Sequence, residues 1–340
     1  MIRGALNRGS RAVRLAALKT WGKTVSLRYD VRNTACIFAS GRGGSTWLAE
    51  MIASVPGSIL QWEPFHRMSN PTAVRLGFER RPYFTAARPP TPRQMQFIKG
   101  LFDGSWINLE TATRHQSPPP ALGDFLRFRR FVVKFVTANA SIDWLTETFG
   151  VRSILLVRHP CAVVASQIRQ GSWQRFDKSR SVTDALLDDF PALRRAYASA
   201  NTHEEALALA WLVNMLPPLS SSPSNRKWLT VYYEDLVLDP GGGIRAIFDW
   251  LGEETPKPVE ELHGRPSAMV KGSIQGIDAW RSQLDADQQR RILRMVADAG
   301  VQLYGEASTP MDRERPVAAS ATLLSPGGVA PPGPAGASLP

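Results

Sequence analysis

Cys36-Ile37-Phe38-Ala39-Ser40-Gly41-Arg42-Gly43-Gly44-Ser45-Thr46-Trp47-Leu48 runs from an apolar strand, through a glycine-rich turn bearing one cation, into Ser-Thr at the head of a helix. Glycines let a turn aim its N–H groups inward, a helix N-terminus adds partial positive charge, and Arg42 adds a full one. Such a turn suits an anion, above all a phosphate or its analogue. The nucleotide-kinase loop needs four residues between its glycines and then Lys-Ser/Thr. Here the span from Gly41 to Ser45 is too short, and no lysine precedes Ser45-Thr46. Taken alone, the loop fits an anion site or a plain strand–turn–helix corner.

A second stretch separates these readings. Ser153-Ile154-Leu155-Leu156-Val157 is a short apolar run bounded by Gly150 and Pro160, the pattern of a strand buried on both faces. It ends in Arg158-His159-Pro160 and passes into a helix over Cys161–Arg169, with Pro160 suited to the first helical turn. Arg158 therefore sits at the carboxyl end of a strand, and Ser166 about two turns along the helix. Ligands of open α/β sheets bind outside the carboxyl ends of the strands. Arg42 and Arg158 are expected to face one crevice and to hold a ligand that is anionic at two places.

With both stretches in view, the chain resembles the sulfotransferases that use 3′-phosphoadenosine 5′-phosphosulfate (PAPS). Ser40, Gly41, Arg42, Gly43, Gly44, Ser45, Thr46 and Trp47 look like the family's 5′-phosphosulfate loop. Arg158, with Ser166 eight residues later, matches the pair that binds the 3′-phosphate. Leu229-Thr230-Val231-Tyr232-Tyr233-Glu234-Asp235-Leu236 resembles the strand that ends in Tyr-Glu-Asp-Leu. Lys271-Gly272-Ser273, followed by Trp280-Arg281, resembles the loop that closes over the cofactor. The resemblance covers roughly Thr34 to Leu303, and no one block is decisive, but the ordered set is specific. It implies an α/β fold with a P-loop-like parallel β-sheet flanked by helices in a single domain, and PAPS as the cofactor.

Composition sets the bounds. The 340 residues, 43% of them hydrophobic, are ample for a core, and a net charge of +11 calls for an anionic ligand or surface. No zinc-finger, homeodomain or RNA-binding signature is visible, so nucleic acid is not an expected partner. Two cysteines, Cys36 and Cys161, make no disulfide framework. No apolar run approaches the ~20 residues of a membrane span, and a secretory h-region is absent. A bacterial cytoplasmic enzyme is the simplest expectation.

Three regions follow along the chain. Residues 1–30 read as a basic arm, with a helix from Ser10 to Trp21 ended by Gly22. Val13, Ala17 and Trp21 form its apolar stripe among Arg and Lys, a pattern that fits peripheral contact with an anionic inner membrane or a packed arm. Residues 31–305 form the sulfotransferase-like domain, and residues 306–340, rich in Pro, Ala and Gly, read as a disordered tail. Strands are expected at Ala35–Ala39, Ser58–Gln61, Phe131–Phe135, Ser153–Val157 and Trp228–Tyr232. Helices are expected at Thr46–Ser54, Ala140–Phe149, Cys161–Arg169, Glu204–Met215, Gly243–Leu251 and Asp285–Ala299. Arg67–Arg130 and Gln170–His203 escape the alternation and cover the places where an acceptor would dock.

Sulfuryl transfer is the analogue of phosphoryl transfer, so positioning and cationic stabilisation should supply most of the acceleration. Arg42 and the loop amides are candidates for that charge. Lys134, ending its strand, resembles a lysine of the family and points toward the same crevice. The histidine that cytosolic members carry two residues later is Val136 here. Gln61-Trp62-Glu63-Pro64-Phe65-His66 resembles instead the Glu-Pro segment of carbohydrate sulfotransferases. Glu63 is the expected base, with His66 as competitor, and the acceptor is a hydroxyl on a sugar, glycolipid or small metabolite. No metal site is expected. The rival readings are a P-loop-class kinase and a non-catalytic basic protein that binds nucleic acid or membrane.

Overall fold

Five short apolar runs pair side by side in a computed structural model that describes residues 15–318 except 69, 108–120, 175, 222 and 257–275. They are β1 (Ala35–Ala39), β2 (Ser58–Trp62), β3 (Arg130–Phe135), β4 (Arg152–Val157) and β5 (Leu229–Tyr232). All neighbours are parallel, in the order β2-β3-β1-β4-β5. Successive side chains of a strand point to opposite faces. Cys36 and Phe38 thus enter one apolar layer with Phe131 and Val133, and Ile37 and Ala39 enter the other with Ile154 and Leu156. Every residue of β1 is buried because helices cover both faces, which is why this strand reads as an unbroken apolar run.

The crossovers carry the helices. The first helix, α1, spans residues 15–26; α2 (Ser45–Ala53) follows β1, and α3 (Pro71–Arg75), α4 (Pro92–Asp103) and α5 (Leu122–Leu126) separate β2 from β3. Next come α6 (Ile142–Phe149), α7 (Pro160–Arg169), α8 (Asp184–Asp189), α9 (Pro191–Ser199), α10 (His203–Ser220), α11 (Tyr233–Leu238), α12 (Pro240–Trp250) and α13 (Ala286–Asp298). Among the described residues no helix is long and apolar enough to cross a membrane.

Four expectations need correction. Gly22 does not end α1 but lies inside it, because the helix presses there against the loop after α4; a Cβ at Gly22 would sit 2.3 Å from the Gly104 carbonyl oxygen. The segments 67–130 and 170–203 contain helices of their own, started by side-chain caps from Asn70, Thr91 and Thr183 and by prolines at first-turn positions. Helix α10 continues past Met215 through Pro217-Pro218, since its last turns are buried and packing outweighs the missing N–H groups. Finally, residues 306–318 are not the start of a loose tail. Val317 pairs with Val301, Met311 N–H donates to the Leu303 carbonyl at 2.8 Å, and Arg313 grips Asp235 with two bonds of 2.7 Å. The remaining tail and residues 1–14 lie outside the described residues.

Candidate active site

The turn after β1 closes with Gly43 N–H donating to the Ser40 carbonyl at 2.8 Å. That bond places Arg42 at the third position of the turn with φ of 72°, where glycine is the usual occupant. Gly44 follows at φ of 95° and starts α2 with no side-chain cap, so the first N–H groups of that helix are left for a ligand. A Cβ on Gly44 would lie 2.6 Å from the ring of Tyr233, and one on Gly41 3.0 Å from Trp173. The loop is therefore held between two aromatic rings. Trp47, expected at the cofactor, packs instead in the apolar layer with Leu48 and Met51 and supports the loop from behind.

The two anion motifs meet. Arg42 Nε donates to Ser166 Oγ at 3.2 Å, and Arg158 Nη1 donates to the Arg42 carbonyl at 3.1 Å. Arg158 lies over the Tyr233 ring at 4.2 Å, and its Nε is buried without an acceptor. Among the described residues, neither Arg42 nor Arg158 has a carboxylate at ion-pair distance. Burial, and then the charges of Arg158 and Arg169, lower the Arg42 pKa. Cations crowded and desolvated in this way call for an anion. Arg158 and Ser166 also line a small pocket with Trp280 and Gln283, residues that follow the expected closing loop. Lys271, Gly272 and Ser273 themselves lie outside the described residues.

The second half of the site sits at the ends of β2 and β3. Their register sets Trp62 beside Lys134, and Glu63 N–H donates to the Lys134 carbonyl at 2.9 Å. Glu63 then turns sharply, with φ of 41°. Its Oε1 accepts from Lys134 Nζ at 2.5 Å, while its Oε2 stands 4.0 Å from His66 Nδ1. Lys134 is only 2% exposed and rests 3.7 Å from the centre of the Trp62 ring. Desolvation lowers its pKa, and the bond to Glu63 opposes that shift. Desolvation likewise lowers the pKa of His66, against the opposing charge of Glu63.

Two further side chains support the site: Gln167, not singled out from sequence, and Glu234, expected with Asp235 to cap a helix or brace the loop. Gln167 Nε2 donates to the Gly41 carbonyl at 2.8 Å, tying the first loop to α7. Glu234 accepts from His159 N–H at 2.9 Å and from Tyr304 Oη–H at 2.8 Å, which braces the turn carrying Arg158. The Tyr-Glu-Asp-Leu block signalled Glu234 in the sequence, whereas nothing there marked Gln167. A larger groove of about 910 Å³ opens between α13 and residues 301–311, away from this chemistry. Two of its arginines, Arg290 and Arg291, are engaged by Asp287 and Glu204.

Fold and site together define an α/β protein with a P-loop-like turn and, at the end of the neighbouring strand, an arginine that reaches that turn. A model of the family described as "Sulfotransferase family" matches residues 35–257, about two thirds of the chain, and the chain belongs to that family. No curated protein sequence matches it. Among solved structures, the chain is similar to the sulfotransferase domain of the Synechococcus PCC 7002 olefin synthase, at 20% identity and a TM-score of 0.42, covering 78% of this chain and 93% of that one. The sulfotransferase STF9 of Mycobacterium avium is similar at 12% identity and a TM-score of 0.42, with 84% and 80% covered. Mouse sulfotransferase SULT7A1, complexed with PAP, gives 11% identity and a TM-score of 0.41, with 85% and 91% covered.

Proposed function

We propose that this sulfotransferase moves a sulfuryl group from PAPS to an acceptor hydroxyl by in-line displacement. The observation that carries this reading is the Arg42–Ser166–Arg158 cluster, two carboxylate-free guanidiniums with an unfilled, buried Arg158 Nε at the carboxyl end of a parallel sheet. Arg158 and Ser166 suit the 3′-phosphate, and the Ser40–Thr46 loop with Arg42 suits the phosphosulfate end. PAPS, when bound, supplies an activated sulfuryl group on a phosphate leaving group. Arg42 and the uncapped amides of α2 counter the charge that develops on the leaving side. Lys134 occupies Glu63 Oε1, so Oε2 is the oxygen left to take the proton of the acceptor hydroxyl. His66 Nδ1, 4.0 Å from Oε2, lies beyond hydrogen-bond reach of that oxygen.

The test is calorimetric titration with adenosine 3′,5′-bisphosphate (PAP) beside ATP and 5′-AMP. PAP is expected to bind best, and Arg158→Ala to lose at least ~10-fold in affinity through the lost charge-assisted bond. Equal binding of ATP, or an unchanged constant in the variant, would remove the 3′-phosphate assignment. Glu63→Gln is expected to keep PAP binding and lose turnover, by ~10²-fold or more. Full activity in that variant would take Glu63 out of the chemistry.

Peripheral contact with an anionic membrane is supported by one surface. Leu122 and Leu126, one turn apart on α5, are 75% and 78% exposed, and Leu27 beyond α1 is 83% exposed. The two helices are joined by Trp21, whose Nε1 donates to the Phe125 carbonyl at 3.1 Å, and exposed Lys19, Lys23, Arg28 and Arg127 lie among the leucines in sequence. Apolar side chains among cations complement an anionic bilayer surface, not a neutral one. Trp21 itself packs on Phe125 and Phe128, so the contact falls to these leucines and not to the stripe expected on the arm.

A further inference from the structure

Arg81 is a charge that neither the donor site nor the Glu63–Lys134 pair accounts for. It lies between α3 and α4, in the Arg- and Pro-rich stretch after β2, and is only 7% exposed. Its Nη1 makes both of its hydrogen bonds, to the Val136 carbonyl at 3.1 Å and to Asn214 Oδ1 at 2.9 Å. Both acceptors are uncharged. No carboxylate of the described residues pairs with it, and burial alone pulls its pKa down to about 10. An arginine buried without a counter-ion is costly and is kept where an anion comes to it.

Its position fixes what that anion belongs to. Val136 is two residues past Lys134, at the mouth formed by the end of β3, and the charges of Arg81 and Arg80 both bear on His66. The turn that follows β3 holds a second unfilled group. Asn139 is fully buried with neither carboxamide atom hydrogen-bonded. Its loop is stitched to the segment following Arg81: Ser141 Oγ–H donates to the Pro82 carbonyl at 3.0 Å and accepts from Phe84 N–H at 2.8 Å. A guanidinium without an anion and a carboxamide without partners therefore lie on two joined segments, one following β2 and the other following β3.

We propose that Arg81 recognises an acidic group on the acceptor, so that the preferred substrate is a hydroxyl compound that also carries a carboxylate. Asn139 is the second polar group facing that carboxylate, and Asn214 holds the guanidinium in place. The inference rests on the sulfotransferase reading of the site and names its substrate class. Arg81 is thus a specificity residue: it sets acceptor binding and leaves transfer to Glu63 and Arg42.

The experiment uses the full-length chain saturated with PAP and two matched probe pairs: p-(hydroxymethyl)benzoate against p-methylbenzyl alcohol, and methyl glucuronide against methyl glucoside. Binding is read by calorimetry, and transfer from PAPS as kcat and KM. In each pair the acid is expected to bind at least ~10-fold tighter than its neutral partner, the range of a hydrogen bond to a charged group. Asn214→Asp places a carboxylate against Arg81 while keeping the side-chain size, and is expected to erase the preference through KM, with kcat on neutral probes unchanged. Arg81→Met should do the same, and Arg81→Lys should retain part of it. Equal binding of acid and neutral probes in the unaltered protein, no binding of either, or a preference that survives Asn214→Asp overturns the proposal. Failure of PAP to bind appears before any probe is added and is a failure of the donor reading instead.

Discussion

Arg42 and Glu63 share a backbone conformation that their own side chains disfavour. They are the two non-glycine residues with positive φ among the described residues, at 72° and 41°, and both belong to the proposed active site. Such conformations cost ~1–3 kcal/mol and persist where the surroundings impose them. At Arg42 the cost is compounded by repulsion from Arg158 and Arg169. Arg42→Gly is therefore expected to raise the unfolding free energy by about 1 kcal/mol while lowering PAP affinity at least ~10-fold. Urea denaturation and calorimetry on the same samples read both, and a less stable variant would mean the turn is not strained. Glycine at position 42 would have looked natural in this loop. An arginine there supports its proposed role at the anion site, and the sequence carried that signal openly. What it hid was the reach of Arg42 to Ser166, because nothing in either stretch states how far apart the two turns lie.

Helix α7 depends on a histidine. His159 Nδ1 accepts from Cys161 N–H at 3.2 Å, so the ring proton sits on Nε2, which donates to the Gly305 carbonyl at 3.1 Å. The ring stacks on Trp280 at 4.5 Å. Burial lowers its pKa from 6.5 to about 4, because protonating Nδ1 would charge a dry site and break the cap. The unfolded chain therefore binds a proton between pH 6.5 and about 4 that the folded chain refuses. Stability from this group is complete above pH 6.5 and is lost as pH falls toward 4, by on the order of 3 kcal/mol. His159→Asn, which keeps an acceptor for the cap, should flatten that slope in urea melts across the window; an unchanged slope would assign it elsewhere. At this scale β1 and β4 were legible because strands buried on both faces leave long apolar runs. Gly22 inside α1 was not, since the glycine serves a close approach to Gly104, a residue 82 positions away. Arg81 was hidden in the same way: one arginine among many, until Val136 and Asn214 closed around it.

Across the whole molecule, the exposed leucines of α5 lie at the packed edge of α1, away from the order imposed by the sheet. Full-length protein is expected to sediment with vesicles containing anionic lipid and not with neutral ones, and Leu122→Asp with Leu126→Asp should weaken this at least ~10-fold. Sedimentation that is indifferent to the leucines or to lipid charge would dismiss the contact. The sheet order has a different outcome for the life of the chain. β1 is the first strand in sequence yet lies in the middle, and its partners β3 and β4 begin at Arg130 and Arg152. At the usual pace of ribosomes, that leaves Ala35–Ala39 without partners for roughly 5–20 s while the rest of the sheet is still being made. A newly made chain thus carries a wholly apolar strand before its partners exist, and slower growth at low temperature or a chaperone that grips short apolar peptides should decide how much of it reaches the folded state.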